Sequence, residues 1–214
     1  MQGLYLVTDR GLCGQKDLQD VILQALRGGV ACVQLRDKEI STRTFFEEAQ
    51  KIKALMAPFK APLIINDRID VALAVEADGV HIGQTDMPYA IARKLMGKRA
   101  IIGLSVETWE DVETAQTLDV DYLGVSPVFE TPTKTDTKGC WGLEGLARIK
   151  HFSRHPLVGI GGLNASNAAD AVSAGADCIA VVSAICSAPD PLKAARELQD
   201  MILKALEERI LRRY

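Results

Sequence analysis

The feature that most constrains this chain is an alternation repeated from one end to the other. Short apolar runs lie at residues 4–8, 32–36, 63–66, 79–83, 100–105, 122–128, 157–161 and 178–183. Between and after them come amphipathic segments at 17–28, 41–57, 69–76, 89–96, 109–117, 143–152, 165–174 and 191–211. The runs are rich in β-branched and aliphatic residues and bounded by Gly, Asp, Asn or Pro, as buried strands are. Nearly continuous apolar strands alternating with helices predict a parallel sheet covered on both faces. Eight such units make a closed parallel (β/α)8 TIM barrel the expected architecture. A doubly wound open sheet shares the alternation, because periodicity does not report closure. Ser41 is placed to cap the second helix, and Asn164 or Ser166 the seventh. No linker or composition step divides residues 1–214, so one domain is expected.

Composition narrows the functional classes. Hydrophobic residues make up 48% and charged residues 25% of the 214 positions, enough for one large core and too apolar for a disordered chain. A formal net charge of −3 and an aromatic content of 5% argue against a nucleic-acid partner, which needs basic patches or stacking platforms. No apolar run reaches membrane-spanning length, and the N-terminal residues lead directly into the first strand pattern, without a leader. The five cysteines are odd in number and form no CxxC pair. A disulfide framework or zinc ribbon is not expected, and a cytoplasmic, reducing location is.

On a barrel, polar residues at the C-terminal strand ends are the site candidates. Gln34, Arg36 and Lys38 alternate along the second strand and share one face, which suits a phosphorylated ligand or, more simply, a solvated strand end. Asp67 and Asp86 follow the neighbouring third and fourth strand ends, within reach of one hard cation; with no His or Cys cluster around them, Mg2+ is the expected ion. The competing role for Asn66 or Asp67 is to cap the following helix. His81 alternates with Val80 and Ile82 and reads as a satisfied core histidine. Ser105 ends the fifth strand with no His or Asp partner apparent, which favours a ligand hydrogen bond over a nucleophile. The loop at 130–139, rich in hydroxyls and carrying Lys134, is long enough to be a binding loop. Glycines at 159–162 and the turn around Val182 and Ser183 follow the seventh and eighth strands, where barrels commonly bind phosphate. Two anion-binding regions and a divalent ion imply group transfer with diphosphate as leaving group.

These residues resemble the thiamine phosphate synthase (thiamine phosphate pyrophosphorylase) family. The resemblance spans nearly the whole chain through YLVTDR, VQLRDK, IINDRIDVALAVEADGVHIGQTDMP, GLSVET, GVSPVFETPTKT, GIGGLNASN and AVVSAI. Each motif is moderately specific; their order and spacing together are highly specific. The family resemblance implies a TIM-barrel transferase that joins hydroxymethylpyrimidine diphosphate to hydroxyethylthiazole phosphate, giving thiamine phosphate and pyrophosphate. It implies Gln34, Arg36, Lys38 and Asn66 at the pyrimidine diphosphate, and Asp67 and Asp86 as Mg2+ ligands. Ser105 and Lys134 would contact the pyrophosphate and, with Arg36, carry the catalysis. Thr131, Thr133, Gly162, Val182 and Ser183 would hold the thiazole phosphate. The chemistry implied is dissociative and needs no protein nucleophile.

Two positions depart from the family pattern: Val106-Glu107-Thr108 stands where many relatives have a His, and Ser126-Pro127 where relatives vary. Thiazole tautomerase shares VFET but needs a His at the position of Pro127, which argues against that isomerase. A non-catalytic barrel that senses thiamine precursors could dispense with Arg36, Lys38, Asp67, Asp86 and Lys134, all of which are present. A phosphate-sugar isomerase would leave the second anion site unexplained. The oligomeric state is left open.

Overall fold

The computed structural model describes residues 2–131 and 139–211. Its strands are β1 (Gly3–Val7), β2 (Cys32–Leu35), β3 (Leu63–Asn66), β4 (Gly79–Ile82), β5 (Ile101–Val106), β6 (Tyr122–Val125), β7 (Leu157–Gly159) and β8 (Cys178–Val181). They pair in sequence order, all parallel, and β8 returns to β1. The barrel is therefore closed, and the open sheet is excluded. Around it lie α1 (Leu18–Arg27), α2 (Thr42–Met56), α3 (Ile69–Ala74), α4 (Tyr89–Met96), α5 (Trp109–Ala115), α6 (Gly142–Phe152), α7 (Ala168–Ala174), α8 (Ser183–Cys186) and α9 (Pro191–Leu211). None of the described helices is long and apolar enough to cross a membrane, and all five cysteines are free.

Alternation along each strand divides the apolar residues between two cores. Leu4, Leu6, Val33, Leu35, Ile65, Val80, Ile102 and Leu123 pack outward against the helices. Tyr5, Val7, Cys32, Ile64, Tyr122, Val158, Cys178 and Ala180 fill the barrel interior. Two glycines make room there. A Cβ on Gly103 would lie 2.1 Å from Tyr122 Cζ, and one on Gly124 would lie 2.9 Å from His81 Cε1.

The end of the barrel at the strand N-termini is closed by a repeated clamp. An Asp just before an even-numbered strand accepts a hydrogen bond from the backbone at the start of the preceding strand and pairs with a helix cation. Asp78 accepts from Leu63 N and Lys53 Nζ, each at 2.8 Å. Asp121 accepts from Ile102 N at 2.8 Å and Arg93 Nη2 at 2.7 Å. Asp177 accepts from Leu157 N at 2.9 Å, Lys150 Nζ at 2.7 Å and Arg209 Nη2 at 2.8 Å. At β1 the acceptor is instead Gln199 Oε1 of α9, 2.8 Å from Leu4 N. That helix packs against α1 and α7, so close to the end of α1 that a Cβ on Gly28 would lie 2.6 Å from Leu192 O.

The expected elements are all present with local differences. β6 stops at Val125, where the chain turns through a cis Ser126–Pro127 bond, and β7 stops at Gly159, ahead of Gly161 and Gly162 at φ +100° and +65°. The Ser41 cap forms, its hydroxyl accepting from Thr44 N at 3.2 Å. The seventh helix is entered differently: its cap position is Asn167, which makes no side-chain cap bond. Asn164 instead accepts from Ser166 N at 2.8 Å within the preceding loop. A 3-10 turn at Gly11–Cys13 and the short α8 have no counterpart in the expected pattern, being too brief to show a period.

Candidate active site

A cavity of about 700 Å³ opens at the C-terminal ends of the strands. Gln34, Arg36, Lys38, Asn66, Asp67, Asp86, Ser105, Thr131, Gly162, Val182 and Ser183 all line it. Thr133 and Lys134 lie outside the described residues. The expected site is thus brought together from β2, β3, β4, β5 and the loops after β6, β7 and β8.

On the β2–β4 side, alternation carries Gln34, Arg36 and Lys38 inward, while Asp37 turns outward to Arg10 Nε at 3.5 Å. Thr8 Oγ1 accepts from Arg36 N at 3.0 Å and tethers this strand end to β1. Lys38 Nζ lies 3.2 Å from Asp67 Oδ2. Asp67 sits at φ +59°, a left-handed conformation that Asp tolerates better than most residues, and its N–H donates to His81 O at 2.9 Å. Neither Asn66 nor Asp67 caps α3: the cap position is Arg68, and no side chain bonds there. Asp86 Oδ2 accepts from Gly83 N at 2.7 Å.

Burial pushes the Asp67 carboxyl above its ordinary range, and the hydrogen bond and charge of Asp86 push it further, against the pull of Lys38. Two hard oxygen donors crowd together here with one largely exposed lysine to balance them. That donor set fits Mg2+, which takes a few carboxylate oxygens and completes its shell with water and phosphate. Among the described residues no group of three or more His, Cys, Asp or Glu converges on a cation position, as a dedicated all-protein cage would need.

The cavity floor is polar. Gln34 Nε2 donates to Tyr5 OH at 2.9 Å, and Tyr5 OH meets Tyr122 OH at 2.9 Å. Tyr122 OH lies 3.0 Å from His81 Nδ1, and His81 Nε2 lies 2.8 Å from Ser105 Oγ. Ser105 therefore has a histidine partner that the sequence reading missed. The histidine's other nitrogen faces a phenol, whereas serine nucleophiles rely on a carboxylate to stabilise the imidazolium. Burial raises the Tyr122 hydroxyl well above its ordinary range, so it offers no negative charge for that purpose.

Opposite lies the loop after β6, zipped to the loop after β7 by Val128 N to Ile160 O at 2.8 Å and Phe129 N to Gly161 O at 3.0 Å. A Cβ on Gly162 would lie 2.7 Å from Glu130 O and 2.8 Å from Phe129 Cβ. The glycine is thus required by the neighbouring loop as well as by its positive φ, a reason the sequence alone did not disclose. Asn167 Nδ2 donates to Gly162 O at 3.0 Å and braces the turn. Ser183 and Ala184 open α8, where first-turn N–H groups have no intrahelical acceptor.

Tyr5 and Tyr122 escaped the sequence reading, as did the contacts of the inward-facing His81 with Tyr122 and Ser105. The usable signal was parity: Tyr5 alternates with the outward Leu4 and Leu6, and Tyr122 precedes the outward Leu123.

Comparison with known proteins gives the family of the chain. The family described as thiamine monophosphate synthase matches residues 4–185. Thiamine-phosphate synthase of Albidiferax ferrireducens is 55% identical over 199 residues, covering 93% of this chain and 91% of that protein. Its counterpart in Leptospira biflexa serovar Patoc is 53% identical over 204 residues, covering 94% and 97%. The solved thiamine phosphate pyrophosphorylase from Pyrococcus furiosus superposes with a TM-score of 0.88 at 39% identity, covering 95% of this chain and 96% of that one. A barrel with these strand-end residues, matched over nearly its full length, belongs to the thiamine monophosphate synthase family of transferases.

Proposed function

We propose that this chain joins hydroxymethylpyrimidine diphosphate to hydroxyethylthiazole phosphate, releasing diphosphate and forming thiamine phosphate. The observation that carries the reading is one cavity with two unlike anion sites: side-chain cations and paired carboxylates at β2–β4, and backbone N–H groups at the Gly162 turn and the start of α8. A diphosphate suits the first and a monophosphate the second.

In this reading the bond between the pyrimidine methylene carbon and the diphosphate oxygen breaks first, its electron pair leaving with the diphosphate. The thiazole ring nitrogen then gives its lone pair to the methylene carbon. Arg36 and Lys38 hold the diphosphate and meet the charge that gathers on its bridging oxygen. The Ser105 hydroxyl donates to a diphosphate oxygen, and Gln34 and Asn66 orient the heterocycle. Asp67 and Asp86 would hold Mg2+, which supplies further positive charge to the leaving group when bound. Lys134, Thr131 and Thr133 belong to the same reading, at the diphosphate and the thiazole phosphate respectively.

Purified protein given both substrates with Mg2+ is expected to release thiamine phosphate and diphosphate in equal amounts, and to stop when EDTA is added. Binding of both substrates without turnover would identify a sensor instead of a synthase. Undiminished turnover in EDTA would remove the metal from the reading.

A further inference from the structure

We infer that Tyr5, Tyr122 and His81 form a polarised relay through the barrel floor that points the Ser105 hydroxyl hydrogen into the cavity and the Gln34 carbonyl oxygen into the opposite side, making all three positioning residues. The inference deepens the functional reading above and rests on it for the nature of the ligand.

The direction follows from counting donors. Each tyrosine has one hydroxyl hydrogen, and a neutral imidazole has one N–H. Gln34 Nε2 gives a hydrogen to Tyr5, so the Tyr5 hydrogen must go elsewhere. If it goes to Tyr122, Tyr122 donates to His81 Nδ1, His81 Nε2–H donates to Ser105 Oγ, and every hydrogen has an acceptor. If the chain runs the other way with Gln34 unchanged, Tyr122 donates to Tyr5 and the fully buried Tyr5 hydrogen is left with the Cys32 thiol, a weak acceptor. Burial holds both phenols protonated well above neutral pH, so neither hydrogen is lost to solvent.

The geometry is held by packing. His81 stacks on Tyr122 with ring centroids 5.5 Å apart and planes 22° apart, and Tyr5 meets Tyr122 edge-on at 6.1 Å. Gly103 and Gly124 leave the space those rings occupy. The polarity ties the two ends of the site together. With the chain as described, Gln34 presents an acceptor and Ser105 a donor, which matches a ligand with N–H groups at one end and anionic oxygens at the other. Reversed, both ends would present the wrong partner.

Two measurements test the relay. In substrate-free protein labelled with 15N-histidine, two-bond 1H–15N spectra at about pH 8.5, above the ordinary histidine range, are expected to show His81 with its hydrogen on Nε2. The chain has three histidines, and the His81 signal is the one lost in His81→Gln. A hydrogen on Nδ1 would reverse the relay and overturn the proposal.

In steady-state assays, Tyr122→Phe is expected to lower kcat about tenfold with the KM for the thiazole phosphate within about twofold, because the hydrogen bonds that orient Ser105 are lost and no group at the thiazole phosphate is removed. In a Ser105→Ala background the same change is expected to lower kcat by less than about twofold, since the kcat effect passes through that hydroxyl while the Gln34 end is read in the KM for the pyrimidine diphosphate. The full loss in both backgrounds would mean that Tyr122 acts by packing, and the relay fails. If Tyr122→Phe does not fold by circular dichroism, the wild-type spectrum decides. If the wild-type protein forms no thiamine phosphate, the functional reading falls, while the histidine spectrum still decides the relay.

Discussion

The two ends of this barrel use the same carboxylates in opposite ways. At the end formed by the strand N-termini, Asp78, Asp121 and Asp177 each accept a strand N–H and face at least one Lys or Arg. At the cavity end, Asp67 and Asp86 are driven together, and the cation at hand, Lys38, is largely exposed. The first arrangement satisfies charge within the chain and holds strands to helices. The second leaves charge partly unsatisfied in the absence of a ligand, which then has something to gain by binding. In the proposed function, position on the barrel, more than residue type, decides whether an aspartate serves stability or chemistry.

The comparison is broken most severely at Asp177, whose removal leaves Lys150 and Arg209 facing each other. Asp177→Ala is expected to cost about 3 kcal/mol, lowering Tm by roughly 6–12 °C with kcat of the folded protein unchanged. A smaller shift in a thermal melt would place Asp177 among ordinary surface pairs. The mirror case is Asp86→Asn, which keeps the acceptor for Gly83 N but removes a charge. Turnover should fall about a hundredfold, near 2.7 kcal/mol in the barrier, with no loss of Tm; a normal rate at saturating Mg2+ would detach Asp86 from the site. Between the two ends, Gly103→Ala drives a methyl group onto Tyr122 and is expected to cost about 2 kcal/mol. Adding Tyr122→Leu should recover part of that stability, whereas no recovery would locate the strain elsewhere.

The smallest effect has the opposite sign. The Asp67 carboxyl holds its proton to a higher pH in the folded protein than in the unfolded chain. It therefore costs no stability below its unfolded value, and the cost grows as pH rises until it is complete above the folded value. Asp67→Asn removes that cost at neutral pH, and asparagine accepts the same backbone conformation. In metal-free protein its Tm should rise by about 2 °C while turnover falls. A lower Tm would mean that the Lys38 pair outweighs the crowding.

The barrel was legible because each β/α unit repeats one period change, from strand to helix, long enough to be counted. The strand-end positions of Gln34, Arg36, Lys38, Asp67 and Asp86 were legible because they fall at or just after the C-terminal ends of the apolar runs, where a barrel gathers its loops. His81 and Ser105 were read as separate residues because they are 24 positions apart, and only the β4–β5 pairing brings them into contact. Tyr5 and Tyr122 were hidden by their apolar bodies, which fit a core so well that their hydroxyls drew no notice. The clamps at Asp78, Asp121 and Asp177 were written as an Asp one residue ahead of a strand, a signal that looks like an ordinary strand boundary until closure supplies its partners.

The long helix α9 has a consequence for how the chain is made. It follows all eight strands, yet it contributes the acceptor for the first residues of β1 through Gln199 and a cation for Asp177 through Arg209. A ribosome releases β1 first and α9 after everything else described here. Through most of synthesis the β1 edge has neither β8 beside it nor Gln199 beneath it, and exposed strand edges invite association with other chains. The order of translation therefore sets a limit: the barrel cannot close before its eighth strand emerges, and the α9 contacts with β1 and Asp177 can form only after that.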